Sequence, residues 1–298
     1  MRVNQAFRRS QQGLTLVEMM VAMTIGLVLL GGVITVLTSS QQTYRVNEAL
    51  ARMQENARYA FQFLSRDIRM AGYWGCGGYT VAGYESLKGT ETANNGPDTL
   101  TVRGVEGDSN QILSHSHSSS EIKVASIGEL KANDMVLVSD CEGAVIYQVT
   151  AINGKTITHD DGSGTTGNSP LFLSRAFPKG EVAKISTRIY DIRSKPALYW
   201  KRGNQSADEL VEGIENMQIQ YGEDTDGDRA VDIYRTADLV ADWENVVSVR
   251  IDLLVRSVED NVTSQPQTYT FNGETVTPTD RRLRQAFSTV ISLRNRAP

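Results

Sequence analysis

Residues 13–37 read GLTLVEMMVAMTIGLVLLGGVITVL, an apolar run broken only by Glu18 and by scattered Thr and Gly. No further charge follows until Arg45. About 20 residues rising ~1.5 Å each cover the ~30 Å hydrocarbon core of a bilayer, so the run predicts one membrane-spanning helix. Upstream stand Arg2, Arg8 and Arg9 with no acid among the first 13 residues. That asymmetry keeps the N-terminal side in the cytoplasm and exports the body. A secretory signal peptide fits poorly, because its apolar core is shorter and ends in a small-residue cleavage site. Glu18 then needs a physical reason, since a charge inside the bilayer costs several kcal/mol.

Composition bounds the remainder. The 298 residues are 40% hydrophobic and 22% charged, with a mean hydropathy of −0.30. These values describe a soluble body on a single span and exclude a polytopic membrane protein. The formal charge is −5, and the body alone is more acidic because the leader is basic. An acidic body gives no support for nucleic-acid binding.

The run Gly13-Leu14-Thr15-Leu16-Val17-Glu18-Met19-Met20 resembles the type III signal of type IV prepilins. The resemblance implies cleavage by a prepilin peptidase after Gly13, and N-methylation of Leu14 as the new N-terminus. Leucine stands where phenylalanine is usual, a tolerated exchange. Glu18 falls at the mature position that carries the family's glutamate. Cleavage frees an amine at Leu14, and a carboxylate in a low-dielectric bundle requires such a counter-charge. In pilins the pair acts between subunits, and leaving either charge unpaired costs roughly 3–5 kcal/mol, as for other broken buried pairs.

Past the span, Val46, Leu50, Met53, Ala57, Ala60, Leu64, Ile68 and Ala71 recur every three or four positions, predicting one continuous amphipathic helix over 14–71. Asp67 falls among the polar residues between them. Gly26, Gly31 and Gly32 lower local helix propensity by about 1 kcal/mol each. The stretch Ala49 to Cys76, ALARMQENARYAFQFLSRDIRMAGYWGC, is similar to the PilW family of minor pilins, as is Arg281 to Asn295, RRLRQAFSTVISLRN.

Beyond residue 97 the period turns to alternation, with strand-like runs at 99–103, 121–125, 135–139, 145–152, 155–158, 181–192, 197–201, 214–221, 246–256 and 286–293. The fold class expected is α+β and pilin-like: a long N-terminal helix packed on an antiparallel sheet, with a small barrel-like β insertion. The divisions are a leader at 1–13, a transmembrane and filament-core helix at 14–40, the amphipathic helix and glycine-rich turn at 41–96, the insertion at 97–180 and the main sheet at 181–298.

Two cysteines, Cys76 and Cys141, are too few for a disulfide scaffold and too far apart for a metal pair. In an exported body an oxidised pair is expected, contributing on the order of 4 kcal/mol; two buried thiols are the alternative. Asp224, Asp226, Asp228 and Asp232 match the start of a calcium loop. Arg229 replaces the glycine, however, and Arg235 the terminal acid, so a solvated acidic hairpin competes with calcium binding. His115-Ser116-His117 reads as an incidental loop. Gly107-Asp108-Ser109-Asn110 lacks the context of an esterase elbow, and no catalytic residue is assigned.

The leading functional reading is a minor type IV pilin, non-enzymatic, that primes pilus assembly and sits at or near the tip. Its partners would be the prepilin peptidase, other minor pilins, the major pilin and, before assembly, the inner membrane. A pseudopilin of a type II secretion system is the alternative, and a membrane-anchored adhesin or binding protein the second.

Overall fold

The computed structural model describes residues 13, 15–74, 85–116, 119–140, 142–159, 176–203 and 205–296. Helix α1, Leu16–Arg69, is unbroken for 54 residues, about 81 Å at 1.5 Å per residue. Thr15 caps its start, and Arg66 and Arg69 lie in its last turn, where cations complement the carbonyl end of the helix dipole. Gly72 then takes a φ of 68°, a conformation costly for residues with a Cβ. Its N–H donates to the Arg103 carbonyl at 3.1 Å, turning the chain toward the sheet.

The two halves of α1 meet different surroundings. Every large apolar side chain from Leu16 to Leu37 is exposed. Further on, Ala49, Met53, Ala57, Ala60, Leu64 and Ile68 are buried, with Val46 and Leu50 packed beside them. Fully burying side chains such as Met53, Leu64 and Ile68 contributes about 1.5–3 kcal/mol each, so this half is held by tertiary packing.

Fifteen strands follow among the described residues: β1 Leu87–Thr90, β2 Thr99–His115, β3 Glu121–Val124, β4 Met135–Asp140, β5 Gly143–Asn153, β6 Thr156–His159, β7 Glu181–Ile192, β8 Ala197–Arg202, β9 Asp208–Glu212, β10 Ile214–Glu223, β11 Ile233–Arg235, β12 Val246–Arg256, β13 Tyr269–Phe271, β14 Glu274–Val276 and β15 Arg284–Ser292. All described pairings are antiparallel. One sheet has four strands in the order β11-β10-β12-β15. The odd-numbered residues Val249, Ile251, Leu253 and Val255 of β12 share a core with α1, so that face carries the helix.

A nine-stranded sheet, β1-β2-β3-β6-β5-β4-β7-β8-β9, gains a further β2–β7 pairing. The β2-β3-β6-β5-β4-β7 portion therefore closes into a six-stranded ring. Its own core contains Ile112, Ile122, Val124, Val136, Val138, Tyr147, Val149, Ile157, Phe177 and Val182. The other ends of β2 and β7, with β1, β8 and β9, join the helix core through Leu87, Leu100, Val102, Tyr190, Leu198 and Val211. Trp74, just beyond the helix, packs with Leu137, Ile146 and Ile185 of the ring strands.

The long helix and antiparallel body are those predicted. The line expected at residue 180 does not separate the sheets, because β7 pairs with β2 over 181–190 and with β4 over 181–184. Strand β2 also runs much further than 99–103, passing through Gly107 and Asp108 where its register against β7 shifts.

Asp67 corrects the helix reading: it is 4% exposed. Its Oδ1 receives Arg188 Nη1 at 2.6 Å, and its Oδ2 accepts the Tyr190 hydroxyl. Arg188 Nη2 continues to Glu106 at 3.0 Å. Burial and the Asp67 carboxylate push the Tyr190 hydroxyl pKa far above its ordinary value.

Candidate functional site at the helix start and in the acidic loop

Helix formation leaves the first N–H groups of α1 without intrahelical acceptors. Thr15 and Glu18 close a reciprocal capping box over them. The Thr15 amide and hydroxyl donate to Glu18 Oε2 at 2.9 and 2.8 Å, and the Glu18 N–H donates to Thr15 Oγ1 at 3.3 Å. Glu18 is thereby aimed at the N-terminal end of the helix. Gly13 is exposed, with no atom within 4 Å of an added Cβ. Leu14 lies outside the described residues. A single chain thus presents an exposed glycine, an anchored carboxylate and a bare apolar rod in series.

The loop between β10 and β11 brings together three of the four predicted aspartates. Ligand oxygens of Asp224, Asp226 and Asp232 lie within 4.8 Å of one another. Asp228 stands apart, its Oδ1 accepting the Ala230 N–H. Asp224 accepts the Gly227 and Arg229 amides at 2.7 and 2.8 Å. Arg229, at the position where a calcium loop has glycine, takes a φ of 69°, so the backbone keeps the glycine's shape. The Thr225 hydroxyl and amide both donate to Asp232 and hold its carboxyl below the usual range.

Cys76, Cys141 and His117 lie outside the described residues. His115 is not in a loop but ends β2, buried, its Nδ1 accepting the Phe177 amide at 3.1 Å. His159, also buried, stacks on Tyr147 with centroids 4.2 Å apart. Ser109 sits in β2 and donates to Glu181 at 2.6 Å.

The polar network at Arg284 escaped the sequence reading. Its guanidinium binds Glu215 at 2.6 and 3.1 Å and Asp280 at 2.6 and 2.8 Å, while the side chain is 3% exposed. Hydrogen bonds from Arg284 lower the Asp280 pKa to about 2. A second cluster joins Glu91, Asp98 and Asp238 near the buried Tyr221. Burial raises the pKa of both Glu91 and Asp98, and neighbouring carboxylates add to the effect.

Comparison with known proteins agrees with this arrangement. Residues 8–34 match the family model described as a prokaryotic N-terminal methylation motif. A capped apolar helix behind that signal, seated on an antiparallel body, defines a type IV pilin-like protein. More specifically the chain is PilW-like: residues 184–295 match the family described as Type IV Pilus-assembly protein W. That match contains the run Arg281 to Asn295, whereas Ala49 to Cys76 lies outside both matched segments.

The pilin-like protein PilA3 of Thermus thermophilus is 35% identical over 95 residues, 31% of this chain. The match spans 41% of that relative's length. A solved type IV-like pilin from Thermus thermophilus aligns over 83% of this chain and 98% of its own, at 13% identity and a TM-score of 0.40.

Proposed function

We propose that this chain is a minor type IV pilin: cut between Gly13 and Leu14, methylated at Leu14, held in the inner membrane by a single pass, then moved into a pilus whose assembly it primes and whose tip it occupies. The observation that carries the reading is the division of one helix into a bare apolar half headed by Glu18 and a half buried in the body. A rod of exposed Leu, Val, Ile and Met is stable only in lipid or among similar helices. The acid near its start becomes tolerable there once a cation is supplied. In this reading the role is structural rather than catalytic.

Mass spectrometry of the natively produced protein tests the first step, with a methylated leucine expected at the N-terminus. An intact leader with methionine at its start would sink the proposal. Deletion of the gene is expected to remove surface pili and twitching while sparing protein secretion; intact pili with lost secretion would instead assign the chain to a type II pseudopilus. We also propose a Cys76–Cys141 disulfide, and calcium held by Asp224, Asp226 and Asp232. Thiol titration of denatured, unreduced protein tests the first, and the response of the melting temperature to millimolar calcium tests the second.

A further inference from the structure

Strand β15 forms one edge of the four-stranded sheet. Leu293 N–H donates inward to the Val247 carbonyl, and in an antiparallel ladder the bonding direction alternates with each residue. The N–H groups of Ala286, Ser288, Val290 and Ser292 therefore point outward, as does that of Arg284, which Gln267 receives at 3.2 Å. Among the described residues, no hydrogen bond reaches the other four.

Soluble proteins guard such edges with charge, proline or a bulge. From Gln285 to Ser292 the strand reads QAFSTVIS, with neither charge nor proline, and its pairing with β12 has no register shift. Val290 is 51% exposed on the face away from the helix.

We infer that the outer edge of β15 receives an edge strand from a different pilin-like subunit, extending the four-stranded sheet between subunits. The inference rests on the proposed assembly with other pilins. Strand polarity identifies the occupant. Asn295, just past β15, donates to the Ala71 carbonyl beyond the end of α1. At the other end Thr263 bonds the Arg281 carbonyl, and the adjacent Val262 carbonyl accepts from Gln42. Thus β15 runs parallel to α1, away from the membrane.

Subunits anchored in one membrane share helix polarity. An antiparallel β15–β15 pair of two copies would point their helices in opposite directions. A parallel pair related by two-fold symmetry would set the same outward N–H groups against each other. Among the described residues the other edges are short or acidic: β1 has four residues, β11, β13 and β14 three each, and β9 carries Asp208, Glu209 and Glu212. A second copy therefore supplies no symmetric match at this edge, and the proposed partner is a distinct subunit whose uncharged edge strand runs toward the membrane.

The test uses the full chain in its native membrane. A photo-crosslinking residue at Ser288 is expected to capture a different pilin-like subunit, identified by mass spectrometry. Ser288→Pro removes an outward N–H without touching the β12 ladder, and is expected to lower recovery of that subunit roughly tenfold, whereas Ser288→Ala leaves recovery unchanged. Val290→Lys, which adds an edge charge without constraining the backbone, should act in the same direction. Unchanged recovery in both the Pro and Lys variants, or crosslinking to a second copy of this chain, overturns the inference. If Glu18→Ala abolishes assembly while the β15 variants assemble normally, the pilin reading stands and the edge proposal alone falls.

Discussion

Asp67 and Arg188, 121 positions apart in sequence, meet at 2.6 Å and tie the end of the long helix to the strand shared by ring and body. Both side chains are largely buried, at 3% and 17% exposure. Removing one charge strands the other in a poorly solvated place. Asp67→Ala is therefore expected to destabilise the folded body by about 3–5 kcal/mol. Chemical denaturation measures this, and a cycle with Arg188→Met should show strong coupling, since the double variant removes both charges.

Acid should loosen the Arg284 network. Asp280 titrates at about 2, below its ordinary 3.8. A depressed carboxyl contributes stability above the unfolded value and loses it as pH falls through the folded one. Asp280→Asn is expected to cost about 2 kcal/mol at pH 7 and progressively less between pH 4 and pH 2. Denaturation midpoints across that window check the sign.

The Glu91 cluster should behave in the opposite sense. Burial, then Asp98 and Asp238, raises the Glu91 pKa above 4.5, and among the described residues its Oε2 lacks a hydrogen-bond partner. Its favourable contribution is present at low pH and disappears as pH rises through the elevated value. Glu91→Gln is expected to stabilise the domain at pH 7 by about 0.5 kcal/mol, allowing for solvent screening, with the gain shrinking toward pH 4. Thermal melts at both pH values decide it.

If calcium occupies the acidic loop, millimolar calcium should raise the Tm of the domain by a few degrees, on the order of 1 kcal/mol. Asp226→Asn should remove the shift. An unchanged Tm in the parent protein ends the calcium proposal.

A chain beginning at residue 41 should fold and remain soluble. The buried core on α1 begins at Ala49, with Val46 packed beside it, while the large apolar side chains from Leu16 to Leu37 are exposed. Circular dichroism with gel filtration tests this, and persistent aggregation would count against the division of the helix.

Much of this architecture was legible because it is local. The predicted helix, 14–71, ends within two residues of the observed one at each side, since periodicity and the glycine stop act over a few turns. Ten strand runs were found for the same reason. What escaped depends on distant partners. The polar stretch Gly104 to Asn110 becomes strand only because β7 lies beside it, and the short strands β1, β9 and β11 carry too little pattern to stand out. Asp67 reads as a surface acid until Arg188 arrives, and His115 as a loop residue until the ring closes around it. At the N-terminal end, the methylation motif was readable as a short contiguous pattern. In the acidic loop only the fold could separate Asp228 from the other three aspartates.

Because β15 and the buried half of α1 run side by side, tension along the helix would meet the body in shear. Ala49, Met53, Leu64 and Ile68 would have to slide past the sheet together instead of peeling away one after another. Such a mount resists pulling far better than prying.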